Sequence, residues 1–458
     1  MTGPGRDLDL HHPVGHRRRP RLCNGQRPRR RRPAPVSALP WGLLPDSADV
    51  GSDGGLRIGG CSLADLAARH GTPLFVYDED HLRARCREAV AAFGDGVAYA
   101  TKAFLCRAMA RLAHEEGMHL DVATMGEMHV ALAAGVPASH LVLHGNNKSE
   151  LELSAARQVG VGRIVVDSAD EIDRLELLHE VDQFAPRVLL RVTPGVEAHT
   201  HEFVRTGQDD SKFGFTLSSG AAAAALDRCR ASPAVELVGI HFHIGSQVFV
   251  ADFFRQAVAV VAPWFNDLNL PELSVGGGVG VAYVEGESAP SIAEWGAAVR
   301  RACADAGITA RVTAEPGRAI AAGAAVTVYT VGTVKELPGI RTYVSVDGGM
   351  SDNPRPVLYG SGYETVLARA PKADRPRAVT VVGKHCESGD LLVRDARVPA
   401  DLTVGDLLVT PVTGAYGHSM GSNYNKVLRP PVLFASGGRA RVVVRRETPD
   451  DLLAADVG

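Results

Sequence analysis

The chain has 458 residues, 45% hydrophobic and 22% charged, with a formal net charge of -3. This composition supplies a large core and excludes a wholly disordered, collagenous or disulfide-scaffold protein, and no apolar run reaches the roughly 18 to 20 residues of a membrane-spanning helix. Residues 1–32 hold ten arginines against Asp7 and Asp9, a local charge of +8, so the other 426 residues carry -11; an acidic body speaks against nucleic acid as the principal partner.

In chain order, residues 1–38 read as a disordered Arg/Pro-rich extension. Its clusters Arg17–Arg19 and Arg29–Arg32 could touch a nucleic acid or a membrane surface, but a solvated tail is the plainer reading. The seven cysteines show no CxxC or CxxxxH spacing, so free thiols in a reducing cytoplasm are expected and a zinc site is not. Segment 39–78 contains short strand-like runs at 56–58 and 73–77 that could pair with a later β domain. From residue 97, β-branched runs alternate with Ala- and Leu-rich helical stretches. Eight strands are predicted, at 97–102, 119–124, 141–145, 163–168, 187–194, 237–245, 273–278 and 310–317, with helices at 106–117, 124–134, 149–159, 169–180, 218–230, 251–267 and 291–306 between them. Eight βα units across 79–320 are the arithmetic of an α/β protein with a (β/α)8 TIM barrel, although a doubly wound open sheet alternates similarly. After residue 320 the rhythm changes to strand-like runs at 324–335, 341–347, 378–384, 390–395, 406–412 and 440–447. These predict a C-terminal all-β domain, barrel- or sandwich-like, over 321–450, with a tail at 451–458.

Polar and glycine residues collect at the C-terminal ends of the predicted strands: Lys102, Thr124, Asn146, Asn147, Ser168, Thr193, His243, Ser246, Gly276–Gly278 and Glu315. Barrel active sites form on that rim, and a plain scaffold has no reason to gather them there. Lys102 ends an apolar strand, where desolvation would make its amine nucleophilic; a surface lysine at a strand end is the ordinary alternative. The run 276–280 (GGGVG) would let backbone amides approach a phosphate with help from a helix N-terminus, or would simply be a tight turn. Glu315 could hold a pyridine nitrogen protonated, or could pair with Arg318 at the surface.

His241 and His243 share a strand face. Metal ligation by them lacks a nearby carboxylate or third ligand, so no metal is expected, and a histidine stacked on a flat cofactor fits a barrel interior better. In the second domain Cys386 sits in a polar loop that could expose its thiol for proton transfer. Asp347, Asp352, Arg355 and Tyr359 offer charge and a phenol suited to a carboxylate-bearing substrate. Tyr416 lies in another glycine-flanked turn.

These segments resemble the fold-type III pyridoxal-phosphate decarboxylases, and among them the diaminopimelate decarboxylase family, over roughly residues 55–450. The matching runs are YATKA (99–103), LDVATMGE (120–127), HGNNKS (144–149), HFHIGSQ (241–247), GGGVG (276–280), EPGR (315–318), VDGGMSDNPRPVLY (346–359), CESGD (386–390) and GAYG (414–417). One departure is Phe104, where many relatives have Asn. The resemblance implies decarboxylation of meso-2,6-diaminopimelate to L-lysine and CO2, the last step of lysine biosynthesis, with pyridoxal 5'-phosphate as cofactor.

By the same resemblance Lys102 would hold the cofactor covalently, His243 would stack on its ring, and Glu315 would meet the pyridine nitrogen. Asp121, Ser246, Gly277, Gly278, Pro316, Gly317, Arg318 and Tyr416 would complete the cofactor site. Arg318, Arg355, Tyr359 and Tyr416 would bind substrate, Glu387 its amino group, and Cys386 would deliver the proton. Cys386 and Glu387 would come from the partner in a homodimer. Decarboxylation of another basic amino acid (ornithine, arginine, carboxynorspermidine) is the alternative, and the RPxxY run at 355–359 speaks against a simple diamine precursor. A silent pyridoxal-phosphate-binding protein would be expected to lack Lys102 or Cys386, and both are present.

Overall fold

The computed structural model describes residues 40–196 and 210–458, so the expected extension 1–38, with Arg17–Arg19 and Arg29–Arg32, lies outside the described residues. Eight parallel strands, Ala98–Ala100, His119–Val122, Leu141–Leu143, Arg163–Val166, Arg187–Thr193, Glu236–Phe242, Glu272–Ser274 and Arg311–Thr313, pair in sequence order. The Ala98 amide donates to the Ala314 carbonyl (2.9 Å) and the Ala100 amide to the Pro316 carbonyl (3.1 Å), joining the last strand to the first. These bonds make the sheet a (β/α)8 barrel rather than an open doubly wound sheet. The strands read as short apolar runs because helices bury their outer face and side chains fill the inner one.

The barrel helices begin on sequence-encoded caps. Ser149 and Ser291 each accept the amide of the third helical residue while Glu152 and Glu294 reach back to the cap, two complete capping boxes. Inside the barrel Ala98, Val142, Val165, Leu189 and Val238 form a separate buried apolar cluster. Beyond it, at the N-terminal ends of the strands, Glu272 takes Arg163 (2.9 Å) and Arg311 (2.5 Å). The lower half is therefore packed solid, and only the C-terminal end is free to hold a cavity.

The second architecture is a nine-stranded mixed sheet. Its spine is Ala325–Leu337, which pairs antiparallel with Leu74–Asp78 and Leu407–Pro411 through its first half and with Arg341–Val346 through its second. The register shifts between Val331 and Thr333, where one partner set gives way to the other. Val432–Ser436 lies parallel to Leu74–Asp78 and was not expected from the sequence. Of the two early runs, Leu74–Asp78 enters this sheet, whereas Leu56–Ile58 forms a small three-stranded sheet with its own neighbours Asp49–Val50 and Cys61–Ser62. Phe104, the departure noted above, is fully buried and stacks on Tyr77 at 4.4 Å, so it fastens the first barrel loop to the β sheet.

Candidate active site

A cavity of about 560 Å³ opens at the C-terminal ends of the barrel strands. Lys102, Asp121, Asn146, His243, Ser246, Gly277, Gly278, Glu315, Gly317 and Arg318 line it from the barrel, and Arg355, Tyr359 and Tyr416 from the β domain. Lys102 sits two residues past the first strand, in the single turn Thr101–Ala103, and its side chain is exposed to the cavity. Burial therefore does not supply the desolvation expected for its amine.

Glu315 forms the centre of a buried polar group. Its Oε2 accepts from His241 Nε2 (2.9 Å), and its Oε1 from His144 Nε2 (3.2 Å) and Ser274 Oγ (3.1 Å). Burial alone would raise its carboxyl, but the charge and hydrogen bonds of the two rings outweigh that and hold it well below the usual carboxylate range. The sequence reading found no carboxylate or third ligand near His241; in space Glu315 and His144 both converge on it, although 74 and 97 positions away in the chain. Asp121 lies 3.8 Å from His144 Nε2, and burial pushes its carboxyl up to about 6 against the opposing pull of His144. His243 accepts the Gly277 amide on Nδ1 (3.1 Å), which requires an unprotonated nitrogen there. Burial, helped by the charges of Lys102 and Arg191, holds this imidazole well below its ordinary value.

At the other end lie two buried guanidinium groups. Arg318 donates to Tyr283 Oη (2.7 Å) and Ser246 Oγ (2.9 Å), with Tyr416's ring 4.6 Å away. Arg355 donates to Tyr363 Oη (2.7 Å) and lies over the Tyr283 ring at 4.0 Å. Each keeps a buried Nε with no hydrogen-bond partner among the described residues. Phenols, a hydroxyl and aromatic faces orient both cations without neutralising them, which prepares the cavity for anionic groups. Arg191 was not singled out in the sequence; it lines the same cavity, but Asp167 holds it at 3.2 Å.

The glycine run contributes Gly277 and Gly278, and a Cβ on Gly278 would fall 1.9 Å from the Gly245 carbonyl oxygen. No helix follows this run closely in the chain, where the next begins at Ile292; the short helix Arg318–Ala321 opens at the cavity instead. Pro316 does not line the cavity; its carbonyl closes the barrel. Thr124 and Ser168 are helix caps, and the Thr193 hydroxyl bonds the Phe213 carbonyl, so these rim residues serve structure. Of the loop at 346–359, Asp347 binds Thr72 and the Thr330 amide, while Asp352 binds Tyr329 and the Gly349 amide. Both carboxylates fasten the loop, and Arg355 and Tyr359 alone of the four expected groups reach the cavity.

Tyr416 is presented by a backbone with φ of 63° whose amide donates to the Ala103 carbonyl (2.8 Å), beside Lys102. Cys386 is exposed, with its amide on Asn425 Oδ1 (2.9 Å), and neither Cys386 nor Glu387 lines this chain's cavity. Asp390 shapes their loop by accepting the His385 amide (2.9 Å), His385 Nδ1 (2.8 Å) and the Met350 amide (2.7 Å).

Residues 79–322 match the family model described as pyridoxal-dependent decarboxylase, pyridoxal binding domain. The diaminopimelate decarboxylase of Mycobacterium tuberculosis is 48% identical over 421 residues, covering 87% of this chain and 94% of that protein. That of Bacillus subtilis is 43% identical over 420 residues, covering 88% and 95%. A crystal structure of diaminopimelate decarboxylase from M. jannaschii in co-complex with L-lysine superposes with a TM-score of 0.83 at 29% identity, covering 90% of this chain and 98% of that one. The chain belongs to the pyridoxal-dependent decarboxylases, in the diaminopimelate decarboxylase family.

Proposed function

We propose that this protein removes one carboxyl of meso-2,6-diaminopimelate as CO2 and yields L-lysine, with pyridoxal 5'-phosphate as cofactor. The observation that carries the reading is the pair Arg318 and Arg355, two buried cations in one cavity with Lys102 and Glu315 and, among the described residues, no carboxylate against either guanidinium. One anion, the cofactor phosphate, answers Arg318. A second, the carboxylate of the substrate's unreacted end, answers Arg355.

The residues present fit the cofactor. Arg318, Ser246 and the Gly278 amide offer donors for a phosphate, and the Arg318 Nε, without a partner among the described residues, shows unspent capacity. Glu315, held ionised, suits a protonated ring nitrogen, and Lys102 has the exposed amine an aldehyde requires. Held there, the cofactor would supply a sink for the electron pair that the departing CO2 leaves behind. The chain's own residues do the rest. His243 offers an uncharged ring face, Tyr416 and Tyr359 wall the substrate side, and Arg355 fixes which end of the substrate stays intact.

After CO2 leaves, a proton must reach Cα, and the Cys386 thiol is the proposed donor, with Glu387 on the substrate's distal ammonium. Because neither lines the cavity of their own chain, they serve a second copy in a homodimer. Exposed apolar side chains, Phe249 in the cavity lining and Val357 and Leu358 on the helix that carries Arg355, support burial against such a copy. The six described cysteines are free, which fits a reducing cytoplasm. The test is incubation of the purified protein and pyridoxal 5'-phosphate with diaminopimelate, ornithine and arginine separately, with CO2 and product measured by mass. Lysine and CO2 in equal amounts from diaminopimelate alone are expected; faster CO2 release from ornithine or arginine overturns the substrate assignment.

A further inference from the structure

The buried group around Glu315 holds more proton-bearing capacity than a single carboxylate needs. Glu315 and Asp121 both line the cavity, and His144 lies between them, its Nε2 3.2 Å from one and 3.8 Å from the other. An ionised carboxylate only accepts, so the three groups on Glu315, His144 Nε2, His241 Nε2 and Ser274 Oγ, must all donate. His241 is then the neutral Nε2–H tautomer, because its Nδ1 is buried without a partner among the described residues and an imidazolium would leave an N–H unsatisfied there. Burial pushes its ring down to about 4 in accord with that. His144 behaves in the opposite sense: burial would lower it, but the charges of Asp121 and Glu315 prevail and raise it. Of the other charged groups facing this cluster, Arg191 and Lys102 add positive field and Glu127 negative; Arg191 is already committed to Asp167.

Resting on the cofactor assignment above, we propose that His144 is a positioning residue for the cofactor, holding between Asp121 and Glu315 a proton that the two carboxyls would otherwise share and so keeping Glu315 a full acceptor for the ring nitrogen. Without an imidazole at position 144, two buried carboxyls face one another unseparated, and like charges in a site of low polarity take up a proton. A part-protonated Glu315 presents a hydroxyl where the ring nitrogen needs an acceptor. His144 never touches the reacting atoms; it acts through Glu315.

A purely structural role is also open to His144, since its ring packs edge-on against His241 at 4.9 Å. The two roles separate with a probe that lacks the nitrogen. Full-length protein stripped of cofactor is titrated with pyridoxal 5'-phosphate and with its 1-deaza analogue, in which carbon replaces the ring nitrogen, for the wild type, His144→Gln and His144→Asn. Two variants are used so that one folded protein suffices. The wild type should favour the natural cofactor, and the variants should bind the deaza analogue as the wild type does while losing about tenfold of that preference, the equivalent of one unit of carboxyl pKa. An unchanged preference, or equal weakening of both probes, overturns the proposal and leaves His144 a packing residue. A wild type that binds neither probe contradicts the cofactor assignment itself.

Discussion

The Arg355 guanidinium, in the cavity wall, and the buried Tyr363 hydroxyl behind it are 2.7 Å apart. The arginine is the donor, and burial pushes the phenol up to about 12, so Tyr363 stays neutral at any working pH. It aims the cation without cancelling it. Tyr363→Phe should raise KM for diaminopimelate by about tenfold through loss of one hydrogen bond to a charged group, with kcat little changed. Steady-state rates check this, and an unaltered KM would show that Arg355 needs no such support.

Lys102→Ala should abolish covalent capture of the cofactor. Lys148, a buried lysine near the rim, is committed to the Gly145 and Val165 carbonyls and to Glu171 at 2.9 Å. Borohydride reduction followed by peptide mapping should place the pyridoxyl group on Lys102 in the wild type. A stable adduct elsewhere would refute the assignment.

Cys386→Ala should lower turnover about a hundredfold or more, the usual weight of a positioned proton donor, and leave the cofactor spectrum intact. If the thiol serves the neighbouring copy, mixing this variant with Lys102→Ala should recover about a quarter of wild-type activity, because half of randomly paired dimers carry one intact site. Subunits that exchange yet stay inactive would rule out a shared site.

Stability should carry a signature of Asp352. Buried under Tyr329, with the phenol at 2.6 Å and the Gly349 amide at 2.8 Å, its carboxyl is pushed by burial up to about 7. Between about pH 4 and 7 the folded chain keeps a proton that the unfolded chain releases, so this contribution favours folding at low pH and is lost as pH rises through the folded value. Asp352→Asn should therefore gain about 1–3 °C in Tm relative to the wild type between pH 5 and pH 8. Parallel Tm profiles would contradict the raised value.

Much of this was legible in the sequence because parallel barrel strands are buried on both faces and appear as short apolar runs, and because Lys102, His243 and Glu315 each end such a run. What escaped was long-range. His144, His241 and Glu315 meet only when strands 171 positions apart close into a ring, and no local spacing reports that. Thr124 and Ser168 sit on the same rim as the site residues, so position alone did not separate a helix cap from a ligand contact. Asp347 and Asp352 looked like binding groups because loop carboxylates usually face water; here they tie the loop down so that Arg355 points inward. Val432–Ser436 was missed because Pro430 and Pro431 precede it and its partner, Leu74–Asp78, is more than 350 residues earlier in the chain.

The central claim is that one cavity recognises a substrate with a second carboxylate through Arg355. It is tested by kcat/KM for diaminopimelate and for lysine, which lacks that carboxylate, in the wild type and in Arg355→Ala. A charge-assisted contact contributes about 1.5–3 kcal/mol, so the variant should lose roughly ten- to more than a hundredfold on diaminopimelate, mostly in KM, while the poor rate with lysine hardly moves. Unchanged diaminopimelate kinetics in Arg355→Ala would contradict the claim and return the choice of substrate to the other basic amino acids.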